Sequence, residues 1–286
     1  MFKKIISLIL CIAMVGSTLI TPVAYANESS WDVPVVQIHN DVIKVTSDKQ
    51  TGRFIVETLN GIPNKTSDNN KDLLYADRFQ GPETSYTSVR IDGEDFIFGN
   101  SYGFMGIEGH YTTAPYIDSE TNTIISQWAV KDVVITQRIA IMNNPKLPSV
   151  GNVYVDYEIL NKSNKAKSVG LRMLLDTKLG SVDSPALTIP GQGFIYKEAE
   201  FIGDEIPNMW YAYNQYITPQ IIARGTVSGE GLTKPDKLQF AAWGDVSQTK
   251  WDYTVNSEKP IIQVTVDGLP YTGNNGIYPE NSIVNY

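Results

Sequence analysis

Cysteine is nearly absent from this chain: Cys11 is the sole one in 286 residues, and it falls inside an N-terminal apolar run. The rest of the chain therefore has no disulfide framework, no thiol nucleophile and no cysteine-ligated zinc. Histidine is almost as scarce. His39 and His110 lie 71 residues apart, in no metal-type spacing. A Ser-His-Asp hydrolase needs a serine beside one of them, and no G-x-S-x-G occurs. Basic residues are outnumbered, 23 against 31 acidic ones, for a formal net charge of −8. That balance lacks the basic patches of a nucleic-acid binder. Long apolar runs are missing too. The longest, residues 5–15, holds eleven residues, well short of the ~20 that a spanning helix needs.

That short run has the makings of a leader. Lys3 and Lys4 precede it, and Ala24-Tyr25-Ala26 fits a small-x-small cleavage site. Residues 1–26 are thus expected to be a secretory signal peptide. Cys11 follows Leu10 within the apolar run, which argues against a lipoprotein anchor. Removing Lys3 and Lys4 takes the net charge from −8 to −10. An acidic surface suits an extracellular protein and can collect calcium. The remaining 260 residues are enough to bury a large core without disulfides. They are read as one domain, secreted and extracellular or associated with the cell wall, with no membrane span.

The pattern beyond residue 26 is β almost throughout. In VVITQRIAIM (133–142), Val133, Ile135, Ile139 and Ile141 share one face. In VYVDYEI (153–159), Val153, Val155, Tyr157 and Ile159 do the same. A period of two over such lengths indicates half-buried antiparallel strands. Further strands are expected at 41–46, 53–58, 86–91, 95–98, 123–130, 168–176, 193–202, 220–226, 237–242 and 260–266. Asp92-Gly93 reads as a two-residue hairpin turn, since both residues tolerate positive φ. No segment of 12 or more residues shows helical periodicity. The expected fold is all-β, a large antiparallel β-sandwich with little or no helix.

Candidate chemistry centres on GLRMLLDTKLGSVDSPALTIPG (170–191). On a strand, Arg172, Leu174 and Asp176 share one face, with the Arg and Asp roughly 13 Å apart. Two readings are open. Arg172 and Asp176 belong to a ligand groove with Asp183 at its lip; or Arg172 pairs across strands with an acid such as Asp156 or Glu158, and Asp176 closes the strand. Glycoside hydrolysis needs two carboxylates, and Asp176, Asp183, Glu198 and Glu200 are the candidates, with Asp176 and Asp183 the catalytic pair of choice. PNMWYAYNQY (207–216) gathers Trp210, Tyr211, Tyr213 and Tyr216. Such rings stack on sugars or pack a core. Asp68-Asn-Asn70-Lys-Asp72 starts like a calcium loop, but Leu73 stands where the loop wants Gly and Phe79 where it wants Glu. No cofactor is expected, with calcium left open. The glycines of GNSYGFMGIEG (99–109) form no phosphate loop.

Several stretches carry a resemblance. They are GRFI (52–55), NNKDLLY (69–75), TSYTSVRIDG (84–93), FIFG (96–99), VGLRMLLDTKLG (169–180), IPG (189–191) and TKPD (233–236). In these the chain resembles a family of uncharacterised secreted and cell-surface β-domain proteins of Gram-positive, clostridial-type bacteria. The resemblance implies an extracellular β-module, often followed in that family by further β-domains, and lends no activity. The family's acidic turn usually reads N-D-G-A-P-F; here it is Val182-Asp183-Ser184-Pro185-Ala186-Leu187. Size and strand number are also similar to the galactose mutarotase-like supersandwich. His39 and His110 match no mutarotase motif, so no catalytic role carries over.

Three functions remain open. The first is a non-catalytic module for extracellular carbohydrate or cell-wall glycan, with Arg172, Asp176, Trp210, Tyr211 and Tyr213 at its surface. The second is an enzyme acting on glycosidic bonds. The third is a structural or adhesive surface protein without a small ligand.

Overall fold

The structure is a computed structural model. It describes residues 5–13, 31–60, 66–77, 81–82, 84–100, 108–142, 150–262 and 282–285. The cleavage site at 24–26, residues 101–107 of the glycine-containing stretch and the expected strand beyond Ile262 lie outside the described residues. In chain order the strands are β1 (Ile5–Ala13), β2 (Val35–His39), β3 (Ile43–Asp48), β4 (Phe54–Thr58), β5 (Tyr86–Ile91) and β6 (Glu94–Ile97). Next come β7 (His110–Asp118), β8 (Thr123–Val130), β9 (Val133–Met142), β10 (Val150–Asn161), β11 (Val169–Asp176) and β12 (Ala186–Ile189). The last are β13 (Gly193–Phe194), β14 (Ala199–Ile202), β15 (Met209–Tyr213), β16 (Ile222–Thr226), β17 (Lys237–Ala242) and β18 (Ser282–Asn285). One four-residue helix, α1 (Trp243–Val246), follows β17.

The fold is all-β and sandwich-like, as expected. Three antiparallel sheets form, in the orders β13-β12-β15-β16-β1-β10-β9-β8-β7, β14-β17-β18-β11-β5-β6 and β2-β3-β4. Their inward faces meet in one core. Val153, Val155 and Tyr157 of the nine-stranded sheet join Val89, Met173 and Phe240 of the six-stranded sheet, with Ile43 and Val45 of the third. The period of two read from the sequence is what aims these side chains inward. A buried polar tie also joins the two large sheets. The Tyr157 hydroxyl lies 2.6 Å from Thr87 Oγ1 and accepts from Gln137 Nε2 at 2.7 Å, so its buried O–H is satisfied.

The Asp92-Gly93 turn forms with φ of 51° and 87°, pairing Ile91 with Glu94. On the outward face of β10, Asp156 and Glu158 each accept from Arg138, at 2.9 and 2.8 Å. Arg138 stands directly opposite Asp156 on β9. These acids thus pair with Arg138, whereas Arg172 donates to backbone carbonyls of residues 246–251.

β11 departs most from expectation, because both of its faces are covered. Leu175 sits in the main core, while Leu174 packs with Tyr86, Ile97, Ala241 and Val246 beneath Trp243 and Tyr253. The chain from α1 to Tyr253 lies over the outer face of the six-stranded sheet. Residues 5–13, most of the 5–15 apolar run expected in a leader, form β1 between β10 and β16, antiparallel to both. Among the described residues no helix is long and apolar enough to cross a membrane.

Candidate functional site

The residues singled out in the sequence fall into three environments. Arg172 is buried (5% exposed) and does not line a groove. Its Nη1 donates to the carbonyls of Thr249 and Trp251, at 2.9 and 3.1 Å, and to Thr249 Oγ1 at 3.0 Å; its Nη2 donates to the Val246 carbonyl at 3.0 Å. The guanidinium fork thus ties residues 246–251 to β11. Burial pulls its pKa below the usual arginine range.

Trp210 is not an exposed platform either. On β15 the side chains alternate, and Trp210 and Ala212 point inward, at 1% and 0% exposure. Trp210 meets Phe240 of the opposite sheet edge-on, with centroids 6.2 Å apart. Tyr211 and Tyr213, one residue out of phase, are half-buried on the outer side of the sheet.

Those two tyrosines begin a continuous aromatic surface. Their rings stack at 6.2 Å, inclined by 25°. Tyr213 contacts Tyr216 at 5.7 Å, Tyr216 contacts Phe194 at 4.5 Å, and Phe194 contacts Tyr196 at 5.5 Å. Sheet register explains the assembly. Tyr211 pairs with Thr188 on one side and Arg224 on the other, and Thr188 pairs in turn with Phe194. All four therefore share the outward face near the β13 edge. Tyr216 and Ile217 extend the patch, 42% and 78% exposed. Phe194 and Tyr196 were missed in the sequence because they lie apart from the 207–216 cluster and join it only through the β12 pairing.

The acids occupy a different place. Glu198 is buried but fully satisfied. It accepts from the amides of Ala242 and Asn256, at 2.9 and 2.8 Å, and from the Tyr253 hydroxyl at 2.7 Å. Glu200 accepts from Gln239 at 2.6 Å and pairs with Lys237 at 3.0 Å. These two serve the fold. Asp176, at the end of β11, is fully enclosed, and among the described residues neither carboxylate oxygen has a partner at hydrogen-bond distance. Asp183 Oδ1 is likewise buried without one.

Local structure brings the two together. The Asp176 amide donates to Ser85 Oγ at 3.0 Å, and its carbonyl accepts from the Tyr75 amide at 2.8 Å. A tight turn follows, in which Leu179 and Val182 exchange backbone hydrogen bonds around Gly180 at φ 63°. That turn returns Asp183 to within charge–charge reach of Asp176. Burial pushes the Asp176 carboxyl up to about 7; Asp183 raises it further, against Thr84 and Lys178, which lower it. The Thr84 hydroxyl already donates to the Tyr75 carbonyl at 3.1 Å. Burial also raises Asp183, opposed by Lys178. Lys178 itself faces elsewhere, 4.7 Å from the Tyr75 ring centroid and 3.2 Å from Asp72.

The Asp68-to-Asp72 stretch forms a braced turn. Thr58 Oγ1 donates to the Asp68 carbonyl at 2.6 Å and accepts from the Lys71 amide at 2.7 Å. Among the described residues no three His, Cys, Asp or Glu side chains gather to hold a metal. Comparison with known proteins leaves the reading to this geometry: no protein-family model, curated protein or solved structure matches the chain significantly.

Proposed function

We propose that this chain is a secreted, non-catalytic module that binds extracellular carbohydrate or cell-wall glycan through the outward aromatic face formed by β15, β12 and β13. The observation that carries the reading is the unbroken run of ring contacts from Tyr211 through Tyr213, Tyr216 and Phe194 to Tyr196 on a partly exposed surface. Aromatic faces bury the C–H side of a sugar ring, and polar neighbours such as Thr188 and Arg224 flank them in register. The leader-like N-terminus, the lack of cysteine in the rest of the chain and the acidic charge support an extracellular setting.

A second reading, glycosidic-bond hydrolysis by Asp176 and Asp183, is favoured by one observation. The Asp176 carboxyl, raised to about 7 beside a second acid, suits a general acid. Its complete enclosure counts against it, because a general acid must reach the bond it protonates.

The test is a glycan array and cell-wall pull-down. Tyr211→Ala and Tyr213→Ala are expected to weaken binding at least about tenfold, that is, to remove about 1.4 kcal/mol or more, with the melting temperature near that of the parent. Trp210→Ala is the contrasting control. It is expected to cost about 3–5 kcal/mol of stability, measured by urea unfolding, because it empties a core position. Binding to no glycan sinks the proposal, and release of sugar products from a bound glycan moves the assignment to the hydrolase.

A further inference from the structure

Among the described residues, neither Asp176 nor Asp183 forms an ion pair at contact distance, although the charge of Lys178 acts on both. Asp176 is 0% exposed, and neither oxygen has a hydrogen-bond partner. Asp183 presents a second buried, unpartnered oxygen nearby. An ionised carboxylate shut away from water is costly unless it is paired, hydrogen-bonded or bound to a metal. The contrast with Glu198 is direct, since four donor contacts there satisfy an equally buried acid. Among the described residues, the cation whose charge acts on both acids, Lys178, is committed to Asp72 and to the face of Tyr75.

We propose that Asp176 and Asp183 are the charged half of a calcium site, closed by the turn from Leu179 to Val182. The donors are oxygens alone, and a hard cation is what such a set selects. Calcium accepts carboxylates together with backbone carbonyls and water, six to eight oxygens in a forgiving geometry. Two carboxylates are therefore enough charge, and the remaining oxygens need not be acids. The small, strictly octahedral magnesium ion dehydrates reluctantly and suits an enclosed site poorly. The turn gives the site its hinge. Gly180, at φ 63°, allows the chain to reverse and carry Asp183 back. The site shares no named residue with the aromatic face, so either proposal can fail alone.

The experiment uses the full chain stripped with chelator and then titrated with calcium chloride, with magnesium chloride in parallel. Thermal unfolding and terbium(III) luminescence excited through tyrosine are the two readouts; Tyr75 feels the charges of both acids. At about 5 mM calcium, above the affinity range of extracellular calcium modules, the melting temperature is expected to rise by about 3–6 °C. Magnesium is expected to give less than half of that shift. Asp183→Asn, at a half-buried position, is expected to weaken calcium at least tenfold and to reduce the terbium signal in proportion. Asp176→Asn is expected to remove the calcium response while melting no lower than the parent in chelator, since it deletes an uncompensated charge. Identical melting of the parent in calcium and in chelator overturns the proposal. So does a calcium response that both variants retain.

Discussion

Asp176 and Glu198 are buried to nearly the same degree, 0% and 3% exposed, yet they do opposite things to the energy of the fold. Glu198 is surrounded by amides and a tyrosine hydroxyl that favour its ionised form. Asp176 has no comparable set of donors, and burial, opposed by Thr84 and Lys178, lifts it from 3.8 to about 7. A carboxyl raised in the folded state binds its proton there at pH values where the unfolded chain has already lost it. Stability then falls as pH rises through the window from about 4 to about 7, and the full cost remains above it. With chelator present, the parent is expected to lose roughly 2–4 kcal/mol between pH 4.5 and 8 from this group. Asp176→Asn is expected to lack that part of the slope. Urea unfolding at a series of pH values decides it, and parallel curves for the two proteins would remove Asp176 from the account. None of this was readable from Asp176 as a letter in LRMLLDTKLG. The sequence placed it at a strand end beside a turn, which is correct, but sequence spacing does not say whether a donor faces a carboxylate.

Strands were legible where the two faces differ. VVITQRIAIM and VYVDYEI became β9 and β10 with Val133, Ile135, Ile139, Val153, Val155 and Tyr157 on the core face, although Val134, Thr136 and Asp156 on the other face are covered too. β7 was missed for a physical reason: it carries Pro115 and many polar residues, and it forms an edge strand whose register slips between Tyr111 and Tyr116. β15 was read as an aromatic cluster rather than a strand, although its alternation is what separates buried Trp210 from outward Tyr211 and Tyr213. β11 misled in another way. Its charged residue suggested a solvent face, whereas a distant loop covers that face and Arg172 satisfies the loop's carbonyls. Trp251 also packs against Gly170 so closely that a Cβ there would lie 2.7 Å from the ring. Arg172→Met is therefore expected to leave the carbonyls of Val246, Thr249 and Trp251 unsatisfied and to cost about 3 kcal/mol. Hydrogen exchange should rise first in residues 243–253. Unchanged exchange there would mean that packing under Trp243 and Tyr253 holds the loop without the arginine.

At the scale of the whole molecule, the nine-stranded sheet is continuous only because β1 lies between β10 and β16. The same nine residues fall, in the sequence, within the 5–15 apolar run expected of a leader that ends at Ala26. Both properties ask for an apolar, β-tolerant segment, so composition alone does not separate a leader from an interior strand. The consequence of processing does. A chain beginning at Asn27 lacks β1, and its sheet would have two unpaired edges facing each other, a hazard that native sheets usually cover. In that chain the amides of β10 and β16 are expected to exchange at least tenfold faster than in the full chain. A peptide of residues 5–13, flanked by lysines for solubility, is expected to slow them again by refilling the position through backbone hydrogen bonds. Equal protection in the two chains would show that β1 is dispensable to the sheet. The expected domain of residues 27–286 would then be the complete folding unit. Loss of protection confined to β10 and β16, with β8, β9 and β11 unaffected, would instead locate the contribution of β1 in one seam of an otherwise self-sufficient sandwich.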